Sequence, residues 1–163
     1  MISINSEDYI KKFSGITSTS TGDKRIAEFA KQAIIDNYGL ITEDVYFLNV
    51  NDGKLISHKK LGEYGGSIEL PSTKEKLIAL HNHPNSVSFS FKDFVTVNNN
   101  PEIKTMIAAG HDGTVHILAV ENGERLDLTD KNDFEYYYRQ WAIAYIENGG
   151  DFGANSKFTE ELG

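Results

Sequence analysis

Leu77-Ile78-Ala79-Leu80 runs without interruption into His81-Asn82-His83-Pro84. A continuous apolar run, closed by a residue that has no N–H for a ladder, predicts a strand buried on both faces at the centre of a sheet. Such a strand needs a layer on each side. The expected fold class is therefore α/β, with a mixed sheet flanked by helices.

The rest of the chain supplies those layers. Ser6 to Phe13 reads as a short helix capped by Ser6, with Tyr9, Ile10 and Phe13 on one side. After a polar loop, Asp23 is the expected cap of a second helix. Its apolar residues Ile26, Phe29, Ala30, Ala33 and Ile34 recur at steps of three and four, and Gly39 suits its end. Val45–Val50 reads as a strand, Asn51-Asp52-Gly53 as a turn and Lys54–Ser57 as the returning strand. Residues 61–66 hold three glycines and read as a loop, and Ser67–Leu70 as a short strand. Phe91–Val97 predicts a helix, and Thr105–Ala109 and Thr114–Val120 predict two strands. Phe134, Tyr138, Trp141 and Tyr145 fall at helical spacing over 133–147, a face suited to core packing or to a partner. The 163 residues suit one domain, read as residues 23–148 with an N-terminal extension over 1–22 and a tail over 149–163.

Composition narrows the chemistry. The chain has no cysteine, which excludes disulfide scaffolds, thiol catalysis and thiolate metal sites. A formal charge of −8 disfavours a phosphate backbone, so no nucleic-acid partner is expected. No apolar run approaches the ~20 residues of a membrane span, and Met1–Asn5 carries no basic and apolar leader pattern. A cytoplasmic protein without a membrane partner is the expectation.

The chemistry concentrates between residues 81 and 93. Side chains two apart on a strand share a face, so His81 and His83 present two imidazoles together. Asp93, nine residues after Pro84, can return a carboxylate from the start of a helix. Two imidazoles and one carboxylate are a common ligand set for catalytic zinc, with the fourth position open. Ser90-x-x-Asp93 also reads as a capping box, with Ser90 on a backbone N–H and Asp93 in the first turn. The two readings are compatible. His58, beside Lys59-Lys60, reads as exposed, His111 as part of a Gly-His-Asp-Gly turn, and His116 as a strand residue. Structural roles are expected for all three.

His-x-His-Pro, a short loop and then Ser-x-x-Asp resembles the JAMM/MPN+ metalloprotease motif. The resemblance implies His81, His83 and Asp93 as zinc ligands and Ser90 as the residue that helps stabilise an oxyanion, with Ser88 as its substitute. It also implies a general base on an upstream strand. Glu43, at the entry to the strand after helix 24–37, has the family's position, and Glu63 is the runner-up. With Asn51-Asp52-Gly53 and Gly110-His111-Asp112-Gly113-Thr114-Val115, the likeness covers roughly residues 24–120. It is closest to JAMM-type domains of phage and prophage proteins, some fused to head-morphogenesis proteins.

The implied fold is the JAMM/MPN-like, cytidine-deaminase-like sheet. The implied activity is zinc-dependent cleavage of a peptide or isopeptide bond. The implied partner is a protein or peptide substrate, such as a ubiquitin-like or phage structural protein. The alternative is a metal-free MPN-like module for binding or assembly. His-Asn-His also matches the letters of the HNH nucleases, but their histidines are spread over a ββα unit, and the negative charge argues against DNA.

Overall fold

A computed structural model describes residues 3–63, 69–86 and 88–119. Three helices, α1 (Glu7–Lys11), α2 (Ser20–Asp36) and α3 (Phe91–Asn99), accompany five strands, β1 (Thr42–Asn49), β2 (Leu55–Glu63), β3 (Leu77–His83), β4 (Ile103–Gly110) and β5 (Val115–Ala119). The strands form one mixed sheet in the order β2-β1-β3-β4-β5. β3 and β4 are parallel and every other neighbouring pair is antiparallel. A parallel pair needs a crossover, which α3 provides. The protein is an α/β sheet flanked by helices.

β3 is the central strand, and all seven of its residues are buried. Its alternation divides the core in two. Leu77 and Ala79 point to one side, with Val45, Phe47, Met106, Ala108 and Leu118, where Phe89, Phe94 and Val97 cover them. Ile78 and Leu80 point to the other side, with Tyr46, Leu48, Ile107 and Ile117, against Ile26, Ala27, Ala30, Ala33 and Ile34 of α2. Each fully buried Leu or Ile on this strand contributes about 1.5–3 kcal/mol of transfer free energy.

The described part of the N-terminal extension, residues 3–22, does not hang free of this core. Tyr9 and Phe13 are fully buried in the α2-side cluster, their rings edge to face at 5.3 Å. Ser6 caps α1 as expected.

Several boundaries differ from the sequence expectations. The cap of α2 is Thr19, whose Oγ1 accepts the Gly22 N–H at 3.0 Å. Asp23 lies inside the first turn, where its carboxylate accepts the Gly15 and Thr17 N–H groups and so ties the preceding loop to the helix. β1 begins at Thr42, three residues before the apolar run. β2 continues to Glu63, so the expected loop begins with strand residues, with Thr42 paired to Glu63 and Glu43 to Gly62. That extension is mostly polar and exposed on an edge, held by its ladder to β1 and by Leu61, which packs against the α3-side cluster. Of the short strand expected at 67–70, only Glu69 and Leu70 are described, and neither is in a strand. The helix expected at 133–147 and the tail lie outside the described residues.

Gly53 takes φ +71° at the β1–β2 turn, and a Cβ there would lie 2.7 Å from the Gly22 carbonyl oxygen. The turn is therefore pressed against α2 at a point only glycine fits.

Candidate metal centre

The site lies at the C-terminal end of β3, on the α3 side of the sheet. His81 and His83 follow Leu77 and Ala79 on that face, and both are buried. Their Nε2 atoms lie 2.8 Å apart. The α3 crossover brings Asp93 back to them. Its Oδ1 is 3.5 Å from His81 Nε2 and its Oδ2 is 3.5 Å from His83 Nε2. One ligand atom from each of the three residues falls within 4.8 Å of the others, which makes this a group that could hold a metal ion.

The donor set suits a cation. Two imidazole nitrogens and a carboxylate leave one net negative charge in a buried place when both rings are neutral. Zinc–nitrogen bonds of 2.0–2.1 Å put tetrahedral ligands roughly 3.3 Å apart. Each imidazole lies close to that spacing from one carboxylate oxygen, His81 from Oδ1 and His83 from Oδ2. The two imidazoles would open by about half an ångström to admit the ion, a small side-chain adjustment.

Asp93 is held by the N-terminus of its own helix. Ser90 is the cap of α3, and its Oγ accepts the Asp93 N–H at 3.2 Å. The Ser90 N–H donates to Asp93 Oδ2 at 2.8 Å. Burial opposes ionisation of Asp93. The adjacent His81 charge, hydrogen bonds from His81 and His83 and the Ser90 N–H outweigh it and hold the carboxyl well below its ordinary range. The expected capping box and the expected ligand are thus the same residue in one conformation.

Glu43 reaches the site from β1. Its Oε1 is 3.8 Å from His83 Nε2. Burial raises its pKa above the ordinary carboxylate value, the His81 and His83 imidazoles pull it back, and the Asp93 charge adds to the rise. Glu63, the other candidate base, is exposed at the end of the edge strand. Ser90 is exposed beside Asp93. Ser88 Oγ is buried and has no hydrogen-bond partner among the described residues. No family model, curated protein or solved structure matches this chain.

The remaining histidines lie outside the metal group. His58 was expected to be exposed. It is exposed on the edge strand, and there its Nε2 lies 2.8 Å from Asp44 Oδ2 and its ring stacks on Tyr46 at 4.1 Å. His111 Nε2 lies 2.9 Å from Asn82 Nδ2, and the His111 N–H donates to the His83 carbonyl at 3.3 Å. His116 is buried on the site's face of the sheet, opposite Ala108.

The loop after His83 is clamped to the β4–β5 turn. Ser86, at φ +60°, accepts the Asp112 N–H on its Oγ at 3.1 Å, while Asp112 Oδ1 receives the Thr114 hydroxyl at 2.7 Å. Gly110 lies beneath this network, and a Cβ there would be 3.1 Å from Ser86 Cα. In the sequence His111–Gly113 reads as a turn between two strands. Its hold on the ligand loop depends on β4 lying beside β3, which no local pattern reveals.

Proposed function

We propose that this chain is a zinc-dependent hydrolase of peptide or isopeptide bonds, of JAMM type, acting on a protein or peptide substrate. The observation that carries the reading is the convergence of His81, His83 and Asp93 with a fourth group, Glu43, at 3.8 Å from His83. Three ligands and a neighbouring carboxylate of raised pKa are what hydrolysis at a metal requires.

In this reading His81 Nε2, His83 Nε2 and Asp93 hold the ion. When bound, the ion supplies Lewis acidity, lowering the pKa of water from 15.7 to about 7 and polarising a carbonyl. Glu43 accepts the proton at its carboxylate and later passes it to the leaving amine. Burial raises its proton affinity above that of an ordinary carboxylate, the direction a base that must also donate requires. The Ser90 oxygen accepts the Asp93 N–H, so its hydroxyl hydrogen stays available to the developing oxyanion. One well-placed donor of this kind contributes roughly 3–4 kcal/mol to the transition state. Attack by water needs no covalent enzyme intermediate, in keeping with the absence of cysteine from the sequence.

Elemental analysis of the purified protein tests the reading. One zinc per chain is expected in the parent and none in His81→Ala or His83→Ala. Hydrolysis of peptide and isopeptide-linked substrates should stop on chelation and return with zinc. A parent protein that binds no zinc at micromolar concentrations ends the proposal.

A further inference from the structure

The base in this reading sits on a strand end that β2 pairs but that the β3 ladder does not reach. The β1–β3 ladder runs from Asn49 opposite Leu77 to Val45 opposite His81 and stops there. On the other side, the β1–β2 register breaks between Glu43 and Asp44. Glu43 therefore lies beyond the last β3 pair and next to a bulge. Bulges re-aim side chains, but they also leave the backbone less constrained.

Asn82 supplies the bonds on the β3 side. It is fully buried between the two histidines in sequence. Its Oδ1 accepts the Asp44 N–H at 2.8 Å, and its Nδ2 donates to the Thr42 carbonyl at 3.0 Å. The two bonds bracket Glu43, one residue on either side. Their polarity fixes the amide orientation, because the Asp44 N–H needs an oxygen and the Thr42 carbonyl needs an N–H. The second Nδ2 hydrogen faces His111 Nε2 at 2.9 Å, so the whole carboxamide is engaged.

We propose that Asn82 is the positioning residue for Glu43: its carboxamide continues the β1–β3 ladder past Val45 and holds the Glu43 carboxylate beside His83. A carboxamide has the donor and acceptor of a peptide group in one plane, so it can replace a strand residue at this point. A hydroxyl side chain could make one of the two bonds, and an apolar one neither. The same residue thus joins the metal-bearing strand to the strand that carries the base. The catalytic part of this inference rests on the hydrolase reading, whereas the clamp itself does not.

The test compares the parent with Asn82→Ala and Asn82→Thr in the full chain. Four quantities are measured: zinc content, kcat and KM on a peptide substrate, and amide hydrogen exchange. Zinc content and KM should stay at parent values. Asn82→Ala should lower kcat about 10²-fold, the scale of a misplacement of about 1 Å. Asn82→Thr should fall between the two and carries the comparison if the alanine variant does not fold. In a Glu43→Gln background the same change should add less than about threefold, because the group it positions is already disabled. The Asp44 amide should exchange at least about tenfold faster while Val45–Asn49 keep their protection.

Unchanged Asp44 exchange overturns the clamp, whether or not the protein is active. Faster Asp44 exchange with unchanged kcat, or an equal loss in the Glu43→Gln background, overturns the positioning role. A parent with no zinc-dependent hydrolysis removes the hydrolase reading and the catalytic role with it, while Asp44 exchange still decides the clamp.

Discussion

Replacing Asp93 with asparagine separates its two jobs. The Asp93 carboxylate takes the Ser90 N–H on Oδ2, and its Oδ1 lies 3.5 Å from His81 Nε2. An asparagine in the same rotamer keeps an oxygen for the Ser90 N–H and turns an amide N–H toward the imidazoles. The cap of α3 therefore survives, but the metal-free fold loses the ionised carboxylate that the imidazoles and the Ser90 N–H favour, so its melting temperature should fall at neutral pH. The anionic ligand is lost. A ligand that binds only the folded state stabilises it by RT ln(1 + [L]/Kd), about 2.7 kcal/mol when free zinc is a hundredfold above Kd. For a chain of this size that is a rise of roughly 5–11 °C. If the substitution weakens zinc about 10³-fold, the ratio falls to about 0.1 and the stabilisation to about 0.06 kcal/mol, too small to see. Calorimetry of chelator-stripped parent and Asp93→Asn, each with and without zinc, measures this. An equal zinc-induced rise in both proteins would show that Asp93 is not a ligand. Collapse of the variant without metal would show that the charge itself, rather than the cap oxygen, holds α3.

Four further outcomes are expected. Glu43→Gln should keep zinc and lose about 10²–10⁴-fold in kcat, measured against elemental analysis of the same sample; unchanged kcat would exclude it as the base. Ser90→Ala removes the hydroxyl that accepts the Asp93 N–H and should cost about 1 kcal/mol, a fall of roughly 2–4 °C without metal, with zinc affinity down about 10–100-fold because Asp93 loses its orientation. Tyr9→Phe should raise stability by about 1 kcal/mol in denaturant titration, because the buried Tyr9 hydroxyl has no hydrogen-bond partner among the described residues. Burial lowers the His116 pKa below its ordinary 6.5, so the unfolded chain takes a proton there before the folded one does; stability should fall as pH drops from 6.5 toward the folded value, and His116→Asn should flatten that slope in melts run with chelator.

The parts of the fold and site written in side chains were legible in the sequence. β3 is apolar on both faces because both faces are covered, and the two-residue period put His81 and His83 together. The helix after Pro84 was legible from its cap, and the cap placed Asp93. What was not legible depends on backbone pairing between distant strands. Leu61 to Glu63 look like loop residues because Gly62, Gly65 and Gly66 crowd the segment, whereas the ladder to β1 pairs Gly62 with Glu43 and Glu63 with Thr42. The choice between Glu43 and Glu63 shows the same limit. Both lie at one end of neighbouring strands, and only the pairing shows that Glu43 shares the face of Val45 and Phe47 while Glu63 is exposed on the edge. His58 is exposed beside two lysines as the sequence suggests, but its partner Asp44, fourteen residues away on another strand, is visible only through the pairing.

The capping box at Ser90 explains why a structural motif and a ligand motif can share four residues without conflict. A helix N-terminus presents N–H groups that need acceptors, and an aspartate in the first turn satisfies one of them through a single oxygen. The other oxygen remains free in direction only if the carboxylate plane is fixed, and the Ser90 N–H fixes it at 2.8 Å. The same contact helps keep the carboxyl ionised, as a ligand must be, despite burial. A longer or uncapped carboxylate would have to order itself at the moment of binding. Here folding has already ordered it, and the loop that carries Ser90 is tied in turn through Ser86 to the β4–β5 turn. Asn82 does for Glu43 what Ser90 does for Asp93. In both cases a neutral polar side chain, bonded to the backbone of the acidic residue or of its flanking residues, would set the position of a charge it does not itself carry. If that division of labour holds, changes at Ser90 should act first on metal affinity and changes at Asn82 first on turnover, because each neutral residue governs a different one of the two carboxylates.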